Sequence, residues 1–280
     1  MDSKRIFLDP DTELGDKYFP GLYEIKIKSN EEDLIGAILT AGKEGLNPTV
    51  ILLHGFPGYE DNHDLAHNLR RCGLNVVRFH YRGCWGVKGK FTFENCIQDV
   101  KNVIDFVTDE VNINTYGIDK NNIYLVGHSM GGFLTLSHCE DERIKSFIAI
   151  SPYDFGLKGC VMKKDEEELK DGISMFSTAI LPLNDTDTMT LIRECMINGE
   201  KWSLKNKSKA LSSKKVLIIA ATGDNIGPNE LHHKPLLREI YKYSRENVKE
   251  IFINTDHSYS NKRVLLSKII AEYIEEIYNE

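Results

Sequence analysis

The sequence predicts an α/β fold: a mostly parallel, twisted sheet with helices on both faces and one helical insertion. Three observations carry that expectation. From Thr49 onward, short apolar runs alternate with amphipathic stretches, the pattern of parallel strands joined by crossover helices. Residues 123–139, IYLVGHSMGGFLTLSHC, read as strand, sharp turn and helix. Residues 151–213 break the alternation and read as an inserted segment.

Residues 1–20 are polar and punctuated by proline, and are expected to run over the surface. Residues 22–28 alternate apolar and charged side chains, and residues 34–40 form a second β-like run. With SNEED between them they predict an antiparallel hairpin at one edge of the sheet. Further strands are expected at 50–53, 75–79, 123–126, 146–150, 216–220 and 250–254, and helices at 64–72, 94–110, 130–139, near 235–243 and at 262–278. In the second helix Ile97, Val100, Val103, Ile104 and Val107 recur at steps of three and four, as a helix lying on a sheet requires. No internal repeat or low-complexity linker is evident. The expected organisation is therefore a core of residues 1–150 and 214–280 with a lid over 151–213.

That insertion opens with Ser151-Pro152-Tyr153-Asp154 and carries an acidic run at 165–168 that reads as a solvated helix face. It also holds Met162, Met175, Met189 and Met196, four of the six methionines. Two readings stay open for them. Unbranched methionine suits a pocket for flexible acyl or aryl groups, and it equally suits the insertion's own small core.

Composition narrows the function. A chain of 280 residues with 41% hydrophobic content can bury a large core. Its 35 basic and 42 acidic residues leave a net charge of -7 with no basic run, so nucleic acid is not an expected partner. The first residues, MDSKRIFLDPDTEL, carry charges where a signal peptide needs an apolar stretch, and no run is long enough for a membrane span. Cys72, Cys84, Cys96, Cys139, Cys160 and Cys195 are scattered without C-x-x-C spacing and are expected as free thiols in a reducing, cytoplasmic setting.

The turn Gly127-His128-Ser129-Met130-Gly131 has the form G-x-S-x-G, in which glycines two positions either side let strand and helix close on a serine at a strained apex. With strand before and helix after, and a further Gly132, it resembles the nucleophile elbow of the α/β-hydrolase superfamily. The resemblance implies that Ser129 is a nucleophile. It also implies a chain order of serine, acid, histidine at the carboxyl ends of strands. His257, in the polar loop Asp256-His257-Ser258-Tyr259-Ser260, fits the base better than His232 or His233. Asp224, in the loop Ala221-Thr222-Gly223-Asp224-Asn225-Ile226-Gly227-Pro228, fits the acid; Asp154 is the alternative, and Asp256 is too close to the base in sequence.

The oxyanion donors are backbone amides in this family. One is expected at Met130, after the nucleophile. The other is expected at Phe56, because Leu53-His54-Gly55-Phe56-Pro57-Gly58 resembles the family's H-G-x-x-G loop, with His54 bracing it. Residues 79–86, Phe79-His80-Tyr81-Arg82-Gly83-Cys84-Trp85-Gly86, resemble the D-Y-R-G-x-G-x-S loop of serine esterases and of prolyl-oligopeptidase-like and acyl-peptidase-like hydrolases. His80 stands there in place of the aspartate and Val87 in place of the serine. Trp85 reads either as a pocket wall or as a loop anchor.

His63 and His67, four apart, could face one way as metal ligands, but Asp64 stands where a metalloprotease needs glutamate and no third ligand follows. No metal or other cofactor is expected. The resemblance implies a serine carboxylesterase acting on a small-molecule ester or acyl substrate. An acyl-peptidase or aminopeptidase is the second reading, and a catalytically silent binding module of the same fold the third. Substrate-contacting residues and oligomeric state are not encoded in these motifs.

Overall fold

The computed structural model describes residues 19–280, so nearly all of the expected surface path at 1–20 lies outside the described residues. Eight strands form one sheet: β1 (Gly21–Ser29), β2 (Glu32–Thr40), β3 (Asn47–Leu53), β4 (Asn75–Phe79), β5 (Ile118–His128), β6 (Ser146–Ile150), β7 (Val216–Ala221) and β8 (Val248–Ile253). Their order is β1-β2-β4-β3-β5-β6-β7-β8. The hairpin β1–β2 is antiparallel, with Gly21 opposite Thr40 and Ser29 opposite Glu32; its turn residue Asn30 has φ 55°, a value asparagine tolerates. β2 meets β4 antiparallel, and every later pairing is parallel.

Alternation along each central strand divides the core into two layers. Ile51 and Leu53 of β3 and Ile123 and Leu125 of β5 face one layer; Val50, Leu52, Tyr124 and Val126 face the other. Among the helices α1 (His63–Arg71), α2 (Phe93–Val107), α3 (Glu110–Tyr116) and α4 (Met130–Ser137), the first covers the second layer through Leu65 and Leu69. α2 and α4 cover the first through Val100, Val103, Ile104, Phe133 and Leu134. Between β6 and β7 the chain forms α5 (Phe155–Met162), α6 (Glu166–Ser177), α7 (Thr188–Trp202), a 3-10 turn at Leu204–Lys207 and α8 (Ser208–Leu211). α9 (Asn229–His232) and α10 (Lys234–Ile240) follow β7, and α11 (Arg263–Tyr278) closes the second layer with Leu266, Ile270 and Ile274.

The helix expected over 94–110 ends at Val107, and a separate helix starts at Glu110. Thr108 donates its hydroxyl to the Ile104 carbonyl at 2.8 Å and ends α2, while the Asp109 carboxylate accepts the amides of Val111 at 3.0 Å and Asn112 at 3.3 Å and starts α3. An aspartate cap outweighs the apolar periodicity there. The methionines divide as well: Met162 is buried in the first layer, Met175 reaches a cavity wall, and Met189 is exposed. Among the described residues no helix is long and apolar enough to cross a membrane, all six cysteines are free, and no cluster of three potential metal ligands occurs.

One buried ion pair ties the Tyr81-Arg82-Gly83 loop to the sheet. Asp99 of α2 accepts from Arg82 Nε at 2.6 Å, from the Arg82 amide at 2.9 Å and from Ser29 Oγ of β1 at 2.6 Å. Burial pushes the Asp99 carboxyl above its ordinary range, against the pull of Ser29 and Arg82. Removing the guanidinium leaves that carboxylate buried without a counter-charge. Arg82→Met is therefore expected to lower unfolding free energy by about 3–5 kcal/mol in urea titration, most of it recovered by the double change Arg82→Met/Asp99→Leu.

Candidate active site

Ser129 lies between the end of β5 and the start of α4 at φ 56° and ψ −113°, a strained conformation for a side-chain-bearing residue. It is held from both sides. Its amide donates to the Ile150 carbonyl at 2.8 Å, and its carbonyl accepts from Tyr153 at 3.1 Å and Phe133 at 3.0 Å. Although it occupies the N-cap position, its hydroxyl makes no cap bond and is left for other work. The flanking glycines are steric requirements. A Cβ at Gly127 would strike the Gly131 carbonyl, and one at Gly131 would strike the Leu53 carbonyl, so the turn could not nest against β3.

Asp224 sits in the loop after β7 and faces His257, in the loop after β8. Asp224 Oδ1 accepts the amides of Ile226 at 3.0 Å and Gly227 at 2.7 Å, and Oδ2 lies 2.6 Å from His257 Nδ1. A carboxylate is an acceptor, so Nδ1 carries a proton, and in the neutral ring that leaves the lone pair on Nε2. Burial works to raise the Asp224 carboxyl, but the His257 hydrogen bond and charge, the Gly227 amide and the Ser151 hydroxyl together hold it below its ordinary value. Ser129 and His257 both line a cavity of about 230 Å³, walled also by Phe56, Tyr153, Phe155 and Met175.

Met130 is the first residue of α4, so its amide is among those with no acceptor inside the helix. Phe56 lies in the loop after β3 and is braced from several directions. His54 Nδ1 donates to the Gly55 carbonyl at 2.7 Å, Tyr81 donates its hydroxyl to the His54 carbonyl at 3.3 Å, and Trp85 Nε1 donates to the Pro57 carbonyl at 2.8 Å. Burial, with His80 next, lowers the His54 pKa to about 3, so the ring is neutral. With its proton on Nδ1, His54 accepts at Nε2 from His80 Nδ1, 3.3 Å away. His80, the departure from the expected aspartate, thus belongs to this brace. Trp85 anchors the loop and is not among the cavity walls.

Asp154, the alternative acid, is turned elsewhere. Its carboxylate accepts the Leu157 amide at 2.8 Å, capping α5, and the Leu204 amide at 3.0 Å. Asp256 accepts from Ser260, at 2.8 Å from the amide and 2.6 Å from the hydroxyl. His232 accepts the Asp154 amide at 3.0 Å, and His233 stands edge-on to Phe252. His63 and His67 stack with ring centroids 4.8 Å apart and share a hydrogen bond of 3.0 Å between their Nε2 atoms.

Sequence reasoning missed two supporting groups. His128 donates Nε2–H to the His257 carbonyl at 2.8 Å and so fixes the loop that carries the imidazole. It was read only as the variable position of the elbow. Ser151, at φ 41° just beyond β6, exchanges a hydrogen bond of 3.0 Å with Tyr259, whose hydroxyl in turn donates to the Ile219 carbonyl at 3.1 Å. Only its place at a strand end could have marked it.

Buried neutral histidines make the fold acid-sensitive. Burial lowers the pKa values of His54, His128 and His232 to about 3 and that of His233 to about 4, from 6.5. As pH falls below 6.5 the unfolded chain takes up these protons and the folded chain does not, so stability is present above 6.5 and lost towards 3. At pH 5 each histidine costs about 2 kcal/mol. Asp154, raised to about 6 by burial, protonates first in the folded state and offsets about 1 kcal/mol. Thermal melts should show a steep loss of Tm between pH 7 and 5.

Comparison with known proteins agrees with this architecture. The sequence model of the alpha/beta hydrolase fold family matches residues 48–174. An uncharacterized protein, YfhR, of Salmonella typhimurium is 23% identical over 214 residues, 75% of this chain and 64% of that protein, so the chain spans under two thirds of the curated relative's length. Among solved structures, Est1E from Butyrivibrio proteoclasticus superposes with a TM-score of 0.69 at 17% identity over 92% of this chain and 99% of that one. An esterase from Pyrococcus furiosus gives 0.67 at 17% identity over 96% and 97%. An acylaminoacyl peptidase from Pyrococcus horikoshii gives 0.66 at 18% identity, covering 93% of this chain and 41% of that one. Strand order, matched residues and structural neighbours agree that the chain has the α/β-hydrolase fold.

Proposed function

We propose that the protein is a serine hydrolase of carboxylic esters, with Ser129, His257 and Asp224 as its triad. The observation that carries the reading is the 2.6 Å contact of Asp224 with His257 Nδ1, on an imidazole that shares one cavity with a serine at a strained strand-to-helix turn. In that arrangement Ser129 Oγ attacks the ester carbonyl and its proton passes to His257 Nε2. The negative charge on the carbonyl oxygen is met by the amides of Phe56 and Met130. As the tetrahedral centre collapses, His257 gives the proton to the departing alcohol. A water then repeats the sequence on the acyl-enzyme and frees the acid. Asp224 stays ionised throughout, orienting the imidazole and stabilising its cation.

The segment at 151–213 acts as a lid in this reading, since Tyr153, Phe155, Met175, Thr178 and Ala179 supply cavity wall. The Pyrococcus furiosus protein is named an esterase, which favours ester over amide substrates; one solved complex of Est1E holds ferulic acid, an aromatic acid. The second reading, peptidase, draws on the Pyrococcus horikoshii acylaminoacyl peptidase, but the match reaches less than half of that chain.

Turnover of p-nitrophenyl esters with aliphatic and aromatic acyl groups, measured beside aminoacyl-anilides, separates the two. Ester hydrolysis at kcat/KM at least 100-fold above the anilides is expected. Anilide cleavage without esterase activity would reverse the assignment.

A further inference from the structure

Tyr259 stands two residues beyond His257 and has no part in the reaction steps above. Its side chain leaves the loop after β8 and enters the second core layer, where it is fully buried. The backbone there is at φ 57°, a left-handed conformation that is costly for a bulky residue and persists only where the surroundings impose it. The loop's own bonds shape the turn: the Tyr259 amide donates to the Asp256 carbonyl at 3.0 Å, and its carbonyl accepts the Lys262 amide at 2.9 Å. The side chain fixes where that turn sits on the sheet.

The phenol hydroxyl ends between two strands. It lies 3.0 Å from Ser151 Oγ, just beyond β6, and 3.1 Å from the Ile219 carbonyl of β7. Ser151 is buried at φ 41°; its Oγ accepts the Ala221 amide at 3.4 Å, and its amide donates to the same Ile219 carbonyl at 2.7 Å. Ser151 has one hydroxyl proton to place. Pointed at Tyr259, it completes a chain from the Ala221 amide through both hydroxyls to the Ile219 carbonyl. Pointed at the Asp224 carboxylate, it leaves Oγ to accept the Tyr259 proton. The two hydroxyls stay bonded in either sense. The ring also stands edge-on to His128, with centroids 6.4 Å apart, and His128 holds the His257 carbonyl.

Nucleophile and base loop thus take their places from neighbouring residues. Ile150, the last residue of β6, accepts the Ser129 amide at 2.8 Å, and Ser151 bonds Tyr259. We propose that Tyr259, through Ser151, is a positioning residue for the catalytic base: the end of β6 holds the serine on one side and the histidine loop on the other, and so sets the gap that the Ser129 proton crosses. The proposal rests on the serine-hydrolase reading above. Phenylalanine would fill the same space in the core, so the hydroxyl is the part that carries this role.

The test follows the rate at which a fluorophosphonate labels Ser129. Tyr259→Phe is expected to label about 10-fold more slowly than wild type, and to lose about as much in kcat for a p-nitrophenyl ester with KM unchanged. In the His257→Ala background the same change should alter the residual labelling rate less than about 2-fold, because a residue that works through the imidazole has nothing left to position. Ser151→Ala, which breaks the bond from its other end, should behave alike, and Ser151→Ala/Tyr259→Phe should be no slower than the slower single variant. Should a thermal melt show Tyr259→Phe unfolded, the Ser151→Ala comparison with and without His257 decides the matter by the same criterion. Labelling of Tyr259→Phe at the wild-type rate overturns the proposal. So does an equal slowing with and without His257, which would make the tyrosine a part of the core and nothing more. Both outcomes leave the serine-hydrolase reading standing; absence of label on wild-type Ser129 overturns that reading, and this one with it.

Discussion

Ser129→Ala is expected to lower kcat for a p-nitrophenyl ester on the order of 10⁵-fold, with KM nearly unchanged and Tm within about 2 °C of wild type. The separation of activity from stability follows from where the serine spends its bonds. Its amide and carbonyl are engaged with Ile150, Tyr153 and Phe133, and an alanine keeps all three, whereas the hydroxyl makes no cap bond. The strain at φ 56° belongs to the backbone and stays with either residue. On the proposed mechanism what goes is the nucleophile alone, and the amides of Phe56 and Met130 and the cavity walls remain to give a residual rate above that in water. Steady-state kinetics beside a thermal melt check both halves of the expectation.

Asp224→Asn is expected to lower kcat about 10⁴-fold at pH 7 through the tautomer of His257. The loop amides of Ile226 and Gly227 require an acceptor, so an asparagine there keeps its carbonyl oxygen on them. Its NH2 group then faces His257 Nδ1, which must accept. The imidazole proton moves to Nε2, the atom that in the proposed mechanism receives the proton of Ser129, and the base is lost with the geometry intact. Asp154→Asn makes the contrast. Asp154 serves the Leu157 and Leu204 amides, so its change should reduce stability while kcat falls less than about 10-fold. Equal losses from the two variants would mean that Asp224 is not the acid.

The parts of this fold that were legible in the sequence are those in which one local rule dominates. Apolar runs of four or five residues marked the buried parallel strands because both faces of those strands are covered, as the unbroken burial of β3, β6 and β7 illustrates. The elbow could be read because Gly127 and Gly131 are the residues its close approaches demand. The break between α2 and α3 was lost because the apolar spacing up to Val107 hid the weaker cap signal at Asp109. His128 and Ser151 were lost for a different reason. Their partners, the His257 carbonyl and the Tyr259 hydroxyl, lie 129 and 108 residues away, and no local pattern encodes a bond made by tertiary closure. The same holds for His80. Its place beside His54 became intelligible only once β3 and β4 were seen as neighbours.

The most direct measurement is active-site labelling. Wild-type protein treated with a fluorophosphonate probe and mapped by peptide mass spectrometry should carry the label on Ser129 in stoichiometric amount. Ser129→Ala should carry none, and His257→Ala should react at least 100-fold more slowly. Labelling of the serine variant at the wild-type rate, or a label on any other residue, would contradict the account.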